Sequence, residues 1–148
     1  MMDEFDSLKL ESQLCFAVYS AAHAFNAAYK PFLEPLGLTY PQYLVLMVLW
    51  EQDGLMVREI GDRLNLDSGT LTPMLKRLEA AGFVKRQRDK KDERQVRVQL
   101  TAKARDARPS ALEARNAIVC ALGDSEEQVQ KLKQAVDELR AMLRGAAA

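Results

Sequence analysis

The sequence is poor in the residues that build disulfide scaffolds and metal sites. Its 148 residues include two cysteines, Cys15 and Cys120, and one histidine, His23. Proteins stapled by disulfides carry more cysteines, and a structural zinc site needs several Cys or His ligands. We therefore expect a chain that has no disulfide framework, no metal ion and no cofactor, and that is held together by an apolar core.

Long apolar runs are also absent. The longest, Leu44 to Trp50, is far shorter than the roughly 20 apolar residues that a membrane-spanning helix needs. The first residues, Met1 to Asp6, are acidic and lack the apolar centre of a signal sequence. These features predict a soluble protein of the cytoplasm with no membrane partner.

The chain as a whole has no net charge, because 21 Lys and Arg balance 21 Asp and Glu, but the charges are distributed unevenly along it. Residues 1–75 carry 4 basic against 10 acidic side chains, whereas residues 76–105, the basic block, carry 11 against 4, a net charge of +7. Such a localised excess of cations indicates binding to a polyanion. The alternative, a solvated charged loop, stays open on composition alone.

The spacing of apolar residues predicts a mainly α-helical chain with one small β-hairpin. We expect helices over about 7–30, 39–52, 57–64, 68–81, 101–122 and 125–144, and strands over 83–88 and 94–100. Pro31 and Pro35 should end the first helix, Thr39 should cap the second, and Pro109 should be tolerated inside the fifth. From Gly145 onward we expect a frayed tail.

Two short helices around residues 65–68 form the pattern of a helix-turn-helix. In the second helix an inward stripe is predicted, formed by Leu71, Leu75 and Leu78. A different face displays Thr70, Pro73, Lys76 and Arg77. Because proline removes a backbone donor, a local distortion is expected at Pro73. The charge and length of this helix suit the major groove of duplex DNA.

The hairpin that follows has a basic tip, which is typical of the wing of a winged helix-turn-helix protein. Arg94 is the candidate for the minor groove, where the negative potential favours a guanidinium, and Asp92 is expected to hold that guanidinium in place. The predicted DNA-binding residues are Ser68, Thr70, Pro73, Lys76, Arg77, Arg86, Asp92 and Arg94. Further phosphate contacts are expected from Lys85, Arg88, Lys90, Lys91 and Arg97.

The last helix carries apolar residues at alternating spacings of three and four, which is a heptad seam. These residues are Val129, Leu132, Val136, Leu139 and Leu143. We expect one domain over 1–148 that dimerises through about 7–38 and 101–144, with the winged helix-turn-helix at about 39–100. The predicted partners are double-stranded operator DNA and a second copy of the chain.

This assembly resembles the MarR family of winged-helix repressors. The wing of that family has an Asp-x-Arg pair, then a strand and Leu-Thr, and here Asp92 to Thr101 reads DERQVRVQLT. Family members often continue with a glycine three residues after the threonine, where this chain has Ala104. The resemblance implies a DNA-binding repressor rather than an enzyme.

Four further segments resemble the organic hydroperoxide resistance regulators within that family: LESQLCFA from Leu10, YKP from Tyr29, YPQY from Tyr40, and LDSGTLTP from Leu66. The resemblance implies that Cys15 is the peroxide sensor and that Tyr19 and Tyr29 hydrogen-bond its sulfur. In one branch a second cysteine resolves the oxidised sensor, which implies this role for Cys120 of the other subunit. Tyr40 matches a tyrosine implicated in that branch.

The spacing of Cys15 and Tyr29 favours a site shared by two chains. Fourteen residues of continuous helix separate them by roughly 21 Å, so they cannot touch within one chain but can touch if two first helices cross antiparallel in a dimer. From the residues alone, Cys15 also suits a small buried apolar position. Two other functions stay open: a repressor released by a small phenolic or acidic ligand, and a thiol peroxidase, which the basic wing argues against.

Overall fold

The computed structural model describes residues 3–147, and of Ala147 only the backbone. The chain divides into two compact units, Met1–Pro109 and Ser110–Ala148. The positions of Met1, Met2 and Ala148, which the prediction of one domain over 1–148 includes, lie outside the described residues.

The first unit contains the helices and strands in which the predicted DNA-binding residues lie. Its elements are α1 (Leu14–Leu33), α2 (Tyr40–Glu51), β1 (Leu55–Met56), α3 (Val57–Leu64), α4 (Ser68–Ala80), β2 (Val84–Arg88), β3 (Val96–Leu100) and α5 (Ala102–Asp106). Short 3-10 turns cover Glu4–Leu8, Leu10–Ser12 and Glu34–Leu36. The prediction of a mainly helical, winged helix-turn-helix chain with a small β-hairpin is confirmed.

The core of this unit is formed by α2, α3, α4 and the sheet. The largest fully buried side chains are Phe83, Leu46, Leu49, Ile60, Leu71, Leu75, Leu78, Val45, Val84 and Val98. The predicted inward stripe of α4 is therefore correct. The indole nitrogen of Trp50 donates to the backbone oxygen of Ala104 at 2.9 Å, which ties α2 to α5.

The sheet is antiparallel, with strand order β1-β3-β2. In the hairpin Val84 pairs with Leu100 and Arg88 pairs with Val96. The sequence did not reveal β1, which has two residues, too few for an alternating pattern. It pairs with the middle of β3, where Leu55 lies opposite Val98.

Two prolines behave differently from the prediction. Pro31 does not end α1, which continues to Leu33, because a proline in the last turn removes a single hydrogen bond near a helix end. Pro35, the other proline expected to end this helix, lies in the 3-10 turn Glu34–Leu36 that follows it directly. Pro109 is not tolerated inside one long helix. The chain instead leaves α5 at Asp106 and begins α6 (Arg108–Ala121), with Pro109 in the first turn. Pro73 lies within α4 without interrupting it.

The start of α1 and the end of the chain also differ from the prediction. Helix α1 begins at Leu14 rather than near residue 7, because 3-10 turns precede it. The predicted frayed tail after Gly145 is wrong, because α7 spans Glu126–Ala147. In the second unit the buried residues lie on α6: Ala111, Ala114, Ile118 and Val119.

Among the described residues, no single helix is both long enough and apolar enough to span a membrane. A bent pair, Leu14–Leu36 with Tyr40–Glu51 at 74°, meets those two criteria together.

Candidate nucleic-acid interface and thiol sites

The turn between α3 and α4 depends on a close approach of two backbones. Asn65 adopts the left-handed conformation with φ of 57°, and the N–H of Leu66 donates to the oxygen of Gly61 at 3.0 Å. A Cβ at Gly61 would lie 2.6 Å from the backbone oxygen of Leu66 and 3.7 Å from the side chain of Leu71. The missing side chain at Gly61 therefore sets how closely α3 approaches α4. The sequence alone does not predict this role, because the close approach involves two segments that meet only in the folded chain.

A carboxylate caps the N-terminus of α4. The side chain of Asp67 accepts from the N–H of Thr70 at 2.7 Å. The pKa of Asp67 lies below its ordinary value because Thr70 donates from its backbone N–H and from its hydroxyl. Ser68, the first residue of α4, is exposed.

The outer face of α4 displays the residues expected to contact DNA. Pro73, Lys76 and Arg77 are all exposed, while the leucines on the opposite face are fully buried. The helix ends in a Schellman arrangement, in which the N–H of Gly82 donates to Glu79 and that of Phe83 to Leu78. The structure therefore places two cations and a proline together on one solvent-facing surface.

A second carboxylate joins α4 to the hairpin. Glu79 accepts from the backbone N–H of Arg86 at 2.9 Å and from its guanidinium at 3.0 and 3.3 Å. These bonds lower the pKa of Glu79. The side chain of Arg86 is only 24% exposed, so this predicted DNA contact is engaged within the protein. The sequence analysis did not identify Glu79 as its partner.

The tip of the wing presents Arg94 to solvent. Its side chain is 91% exposed, and its Nε lies 3.1 Å from Oδ1 of Asp92, which also accepts the backbone N–H of Arg94. The predicted contact between Asp92 and Arg94 is therefore present. Lys90 and Lys91 are exposed on the same tip, and Arg88 donates to the backbone oxygen of Glu93.

Asp89 is a carboxylate of the wing that the sequence analysis passed over. Its side chain is 9% exposed and accepts the Nε of Arg97 at 2.7 Å. The bond from Arg97 is the main reason that the pKa of Asp89 lies below its ordinary value. Arg97, predicted as a phosphate contact, also donates to the backbone oxygen of Gly54 at 2.7 Å. No sequence pattern distinguishes this arginine, which bonds within the protein, from its neighbours that do not.

The two thiols are free and exposed. Cys15 lies in the first turn of α1, and Cys120 lies one residue before the end of α6. Tyr19 follows Cys15 by one helical turn, is 62% exposed, and packs edge-on against His23 with ring centres 4.5 Å apart. Within this chain Cys15 is therefore not the buried apolar residue that its sequence environment also allowed.

The other two predicted sensor tyrosines lie in an aromatic cluster. The ring of Tyr29 lies 5.1 Å from that of Tyr40 and 5.5 Å from that of Tyr43. Burial raises the pKa of Tyr40, and burial together with the two neighbouring phenols raises the pKa of Tyr43 to about 12. Because α1 is continuous, Tyr29 lies roughly 21 Å along the helix from Cys15. The structure thus brings Tyr29 and Tyr40 together and leaves Cys15 beside Tyr19.

Comparison with known proteins places this geometry in a family context. A family model described as transcriptional regulator SarA/Rot matches residues 27–108. The HTH-type transcriptional regulator TtmR of Methylorubrum extorquens (strain PA1) is 67% identical over 100 residues, which are 68% of this chain and 51% of TtmR. The match therefore spans about half the length of that relative. The organic hydroperoxide resistance transcriptional regulator of Bacillus subtilis (strain 168) is 43% identical over 136 residues and 92% of each chain.

The fold is also similar to solved structures of AbfR, a protein of Staphylococcus epidermidis. Reduced AbfR bound to DNA is 36% identical, with a TM-score of 0.82 over 99% of this chain and 100% of the other. AbfR with its disulfide formed is 37% identical, with a TM-score of 0.65 over 90% of this chain and 94% of the other.

Proposed function

Because this chain belongs to the SarA/Rot family of MarR-type winged-helix transcriptional regulators, we propose that it is a redox-sensing repressor released from operator DNA by organic hydroperoxide. The family makes it a transcriptional regulator rather than an enzyme. The peroxide, the thiol chemistry, the homodimer and the cytoplasmic location are parts of the proposal.

The single observation that carries the proposal is the cationic surface formed by α4 and the wing. Lys76 and Arg77 are exposed on α4, and Arg94 extends from the wing with its guanidinium oriented by Asp92. A helix of this kind enters the major groove, while an exposed guanidinium enters the adjacent minor groove. The remaining cations of the tip suit the phosphate backbone, which positions the protein without reading sequence.

The apolar surface of α1 supports a homodimer. Leu14, Phe16, Val18 and Phe25 are between 39% and 63% exposed, although apolar side chains of this size favour burial. On α7, Leu132, Val136 and Leu143 of the heptad seam are likewise between 48% and 62% exposed. In the proposed dimer two α1 helices cross antiparallel, so that Cys15 meets Tyr29 of the partner subunit.

The proposed sensor reaction consumes one hydroperoxide and two thiols. The thiolate of Cys15 attacks the outer oxygen of the peroxide, the O–O bond breaks, and an alcohol leaves while Cys15 becomes a sulfenic acid. The thiol of Cys120 from the partner subunit then attacks that sulfur, forming a disulfide and releasing water. Sulfur is oxidised and the peroxide is reduced, so no further oxidant is required.

Disulfide formation would release DNA by moving the recognition helices. The bond requires Cα atoms within about 7 Å of each other, so sulfurs that lie farther apart when reduced must pull α1 and α6 together. Two half-sites on DNA lie roughly 34 Å apart, which means that a shift of a few ångströms misplaces one α4 helix. Phenols of Tyr19 and Tyr29 would donate hydrogen bonds to the oxidised sulfur before the disulfide forms, and Tyr40 would support this site through its packing against Tyr29.

Substitution of the sensor thiol tests this function. Cys15→Ser should bind operator DNA as tightly as wild type and should stay bound after a stoichiometric addition of organic hydroperoxide, as measured by gel shift. Ser20→Ala, on the same exposed helix, is the matched control and should respond like wild type. Release of Cys15→Ser by the peroxide would show that another group is the sensor.

A cavity beside α1 and α2 favours the second candidate, a repressor released by a small phenolic or acidic ligand. It has a volume of about 340 Å³ and is lined by Asn26, Lys30, Leu33, Glu34, Gly37, Leu38, Thr39 and Tyr40. The Lys30 ammonium is suited to a carboxylate, and the apolar walls are suited to a ring. Reversible release of Cys15→Ser by such a ligand, abolished by Lys30→Ala, would favour this function over redox sensing.

A further inference from the structure

The carboxylate of Asp89 lies inside the wing and accepts hydrogen bonds from three donors. One oxygen, Oδ2, accepts the backbone N–H groups of Lys91 at 3.3 Å and of Asp92 at 3.1 Å. The other, Oδ1, accepts the Nε of Arg97. The backbone N–H of Asp89 in turn donates to the backbone oxygen of Gln95 at 2.8 Å, which closes the turn at the wing tip. A single side chain thus fixes the turn that carries Lys90, Lys91 and Arg94.

Arg97 extends this arrangement to the opposite edge of the sheet. Its Nη1 reaches the backbone oxygen of Gly54, in the turn that precedes β1 and α3. In the same turn Asp53 accepts the backbone N–H of Leu100, the last residue of β3. The wing is therefore tied at two points to the segment that leads into the helix-turn-helix, and Arg97 is held at both ends of its guanidinium.

We propose that Asp89 is a positioning residue for DNA binding. Together with Arg97 it holds the wing tip in the position that allows Arg94 to enter the minor groove. In this proposal the guanidinium of Arg97, although its side chain is 40% exposed, serves the bonds to Asp89 and Gly54 rather than a phosphate. This inference rests on the proposed DNA-binding function, and it assigns to Asp89 an effect on affinity that its charge would not produce.

The charge of Asp89 and its proposed positioning role predict opposite changes in DNA affinity when Asp89 is replaced by asparagine. Replacing a carboxylate with a neutral amide near DNA removes repulsion from a polyanion, so charge alone predicts tighter binding. An asparagine has one acceptor oxygen and two donors, so it cannot accept from Arg97 and from both backbone N–H groups. Position therefore predicts weaker binding for Asp89→Asn.

Glu93→Gln is the matched control on the same tip. Glu93 is exposed, and its carboxylate has no hydrogen-bond or ion-pair partner among the described residues. Removing its charge tests the electrostatic effect without releasing the turn. We expect Glu93→Gln to bind DNA as tightly as wild type or more tightly.

Titrations of labelled operator DNA by full-length variants test the inference. Asp89→Asn should bind roughly tenfold more weakly than wild type, within the range known for losing one well-placed guanidinium. Arg97→Lys keeps the charge but cannot reach Asp89 and Gly54 together, so it should lose a similar factor. In the Arg94→Ala background Asp89→Asn should cause little additional loss, because the group that it positions is gone.

The outcomes separate this inference from the proposed function. Wild type that fails to bind the DNA upstream of its own gene or its neighbours would overturn the proposed function. Wild type that binds, with Asp89→Asn equally tight or tighter, would overturn the positioning role alone. Full affinity in Arg97→Lys would show that this side chain is a simple cationic contact. Equal losses from Asp89→Asn with and without Arg94 would show that Asp89 does not act through Arg94.

Discussion

Truncation of Arg94 should separate DNA binding from stability more cleanly than any other change in the wing. The side chain is 91% exposed and touches only Asp92 among the residues with described contacts. An exposed ion pair contributes roughly 0–1 kcal/mol to folding. Arg94→Ala should therefore leave the thermal unfolding transition nearly unchanged.

The loss of DNA affinity should be much larger. A guanidinium seated in a groove contributes about 1–3 kcal/mol, and a dimer that uses both wings loses it twice, which gives roughly 2–6 kcal/mol if the wings act independently. Even the lower limit corresponds to about a 30-fold weaker complex. Asp92→Ala, which frees Arg94 without removing it, should cause a smaller loss.

Fluorescence anisotropy with labelled operator DNA at fixed salt measures this loss, and differential scanning calorimetry checks the fold. Lys131→Ala is the matched control, because it removes one cation and one exposed ion pair, with Glu127, from α7 outside the basic block. If the DNA affinity of Arg94→Ala equals that of the Lys131→Ala control within error, the wing does not contribute to the contact with DNA.

Four more predictions follow from the same geometry. The logarithm of affinity should fall with the logarithm of salt concentration at a slope near −0.9 for each phosphate neutralised, and a flat response would contradict DNA contact by the basic block. Cys120→Ser should lose the peroxide-induced covalent dimer on a non-reducing gel, while Cys15 still forms a sulfenic acid detectable by mass spectrometry; a persistent band would mean a Cys15–Cys15 bridge. Gly61→Ala should destabilise the fold by roughly 1–3 kcal/mol in urea, because its Cβ would lie 2.6 Å from the backbone oxygen of Leu66; a neutral change would show that the turn yields easily. Finally, the pKa of Asp89 lies below its ordinary 3.8, so its contribution to stability is complete above that value and is lost as the pH falls through the lowered pKa. Wild type should therefore lose more stability below pH 3.8 than Asp89→Asn does. Equal losses of stability in the two proteins on acidification would refute this.

The helix-turn-helix could be predicted because its signals are local. The stripe of Leu71, Leu75 and Leu78 and the turn before Ser68 follow from spacing and capping preferences alone. The two misjudged prolines show the limit of such rules. Pro31 and Pro109 have the same covalent effect, but one falls in a last turn and the other in a first turn, and that placement depends on where the helix begins.

The charged residues of the basic block could be recognised as a group but not sorted individually. Arg86, Arg94 and Arg97 are all arginines that lie among other charged and polar residues of the basic block. Arg86 and Arg97 bond to carboxylates 7 and 8 residues away, across the turn of the hairpin or its junction with α4, and Arg97 also bonds to the backbone oxygen of Gly54, 43 residues away. These contacts depend on how the elements pack, which the local sequence does not specify. The same holds for β1, whose pairing with β3 has no local signal.

The hydrogen bonds that Arg86 donates to Glu79 have a consequence for how the proposed complex with DNA would dissociate. In the proposed complex they join α4, in the major groove, to the wing, in the minor groove, so that the two act as one bivalent ligand and each holds the other at a high effective concentration next to its groove. A bivalent ligand with a stiff connection binds far more tightly than either element alone, and it loses this advantage entirely when the geometry no longer permits both contacts. A small displacement of α4 would thus cancel the avidity of a whole half-site at once, which favours an abrupt dissociation over a graded weakening.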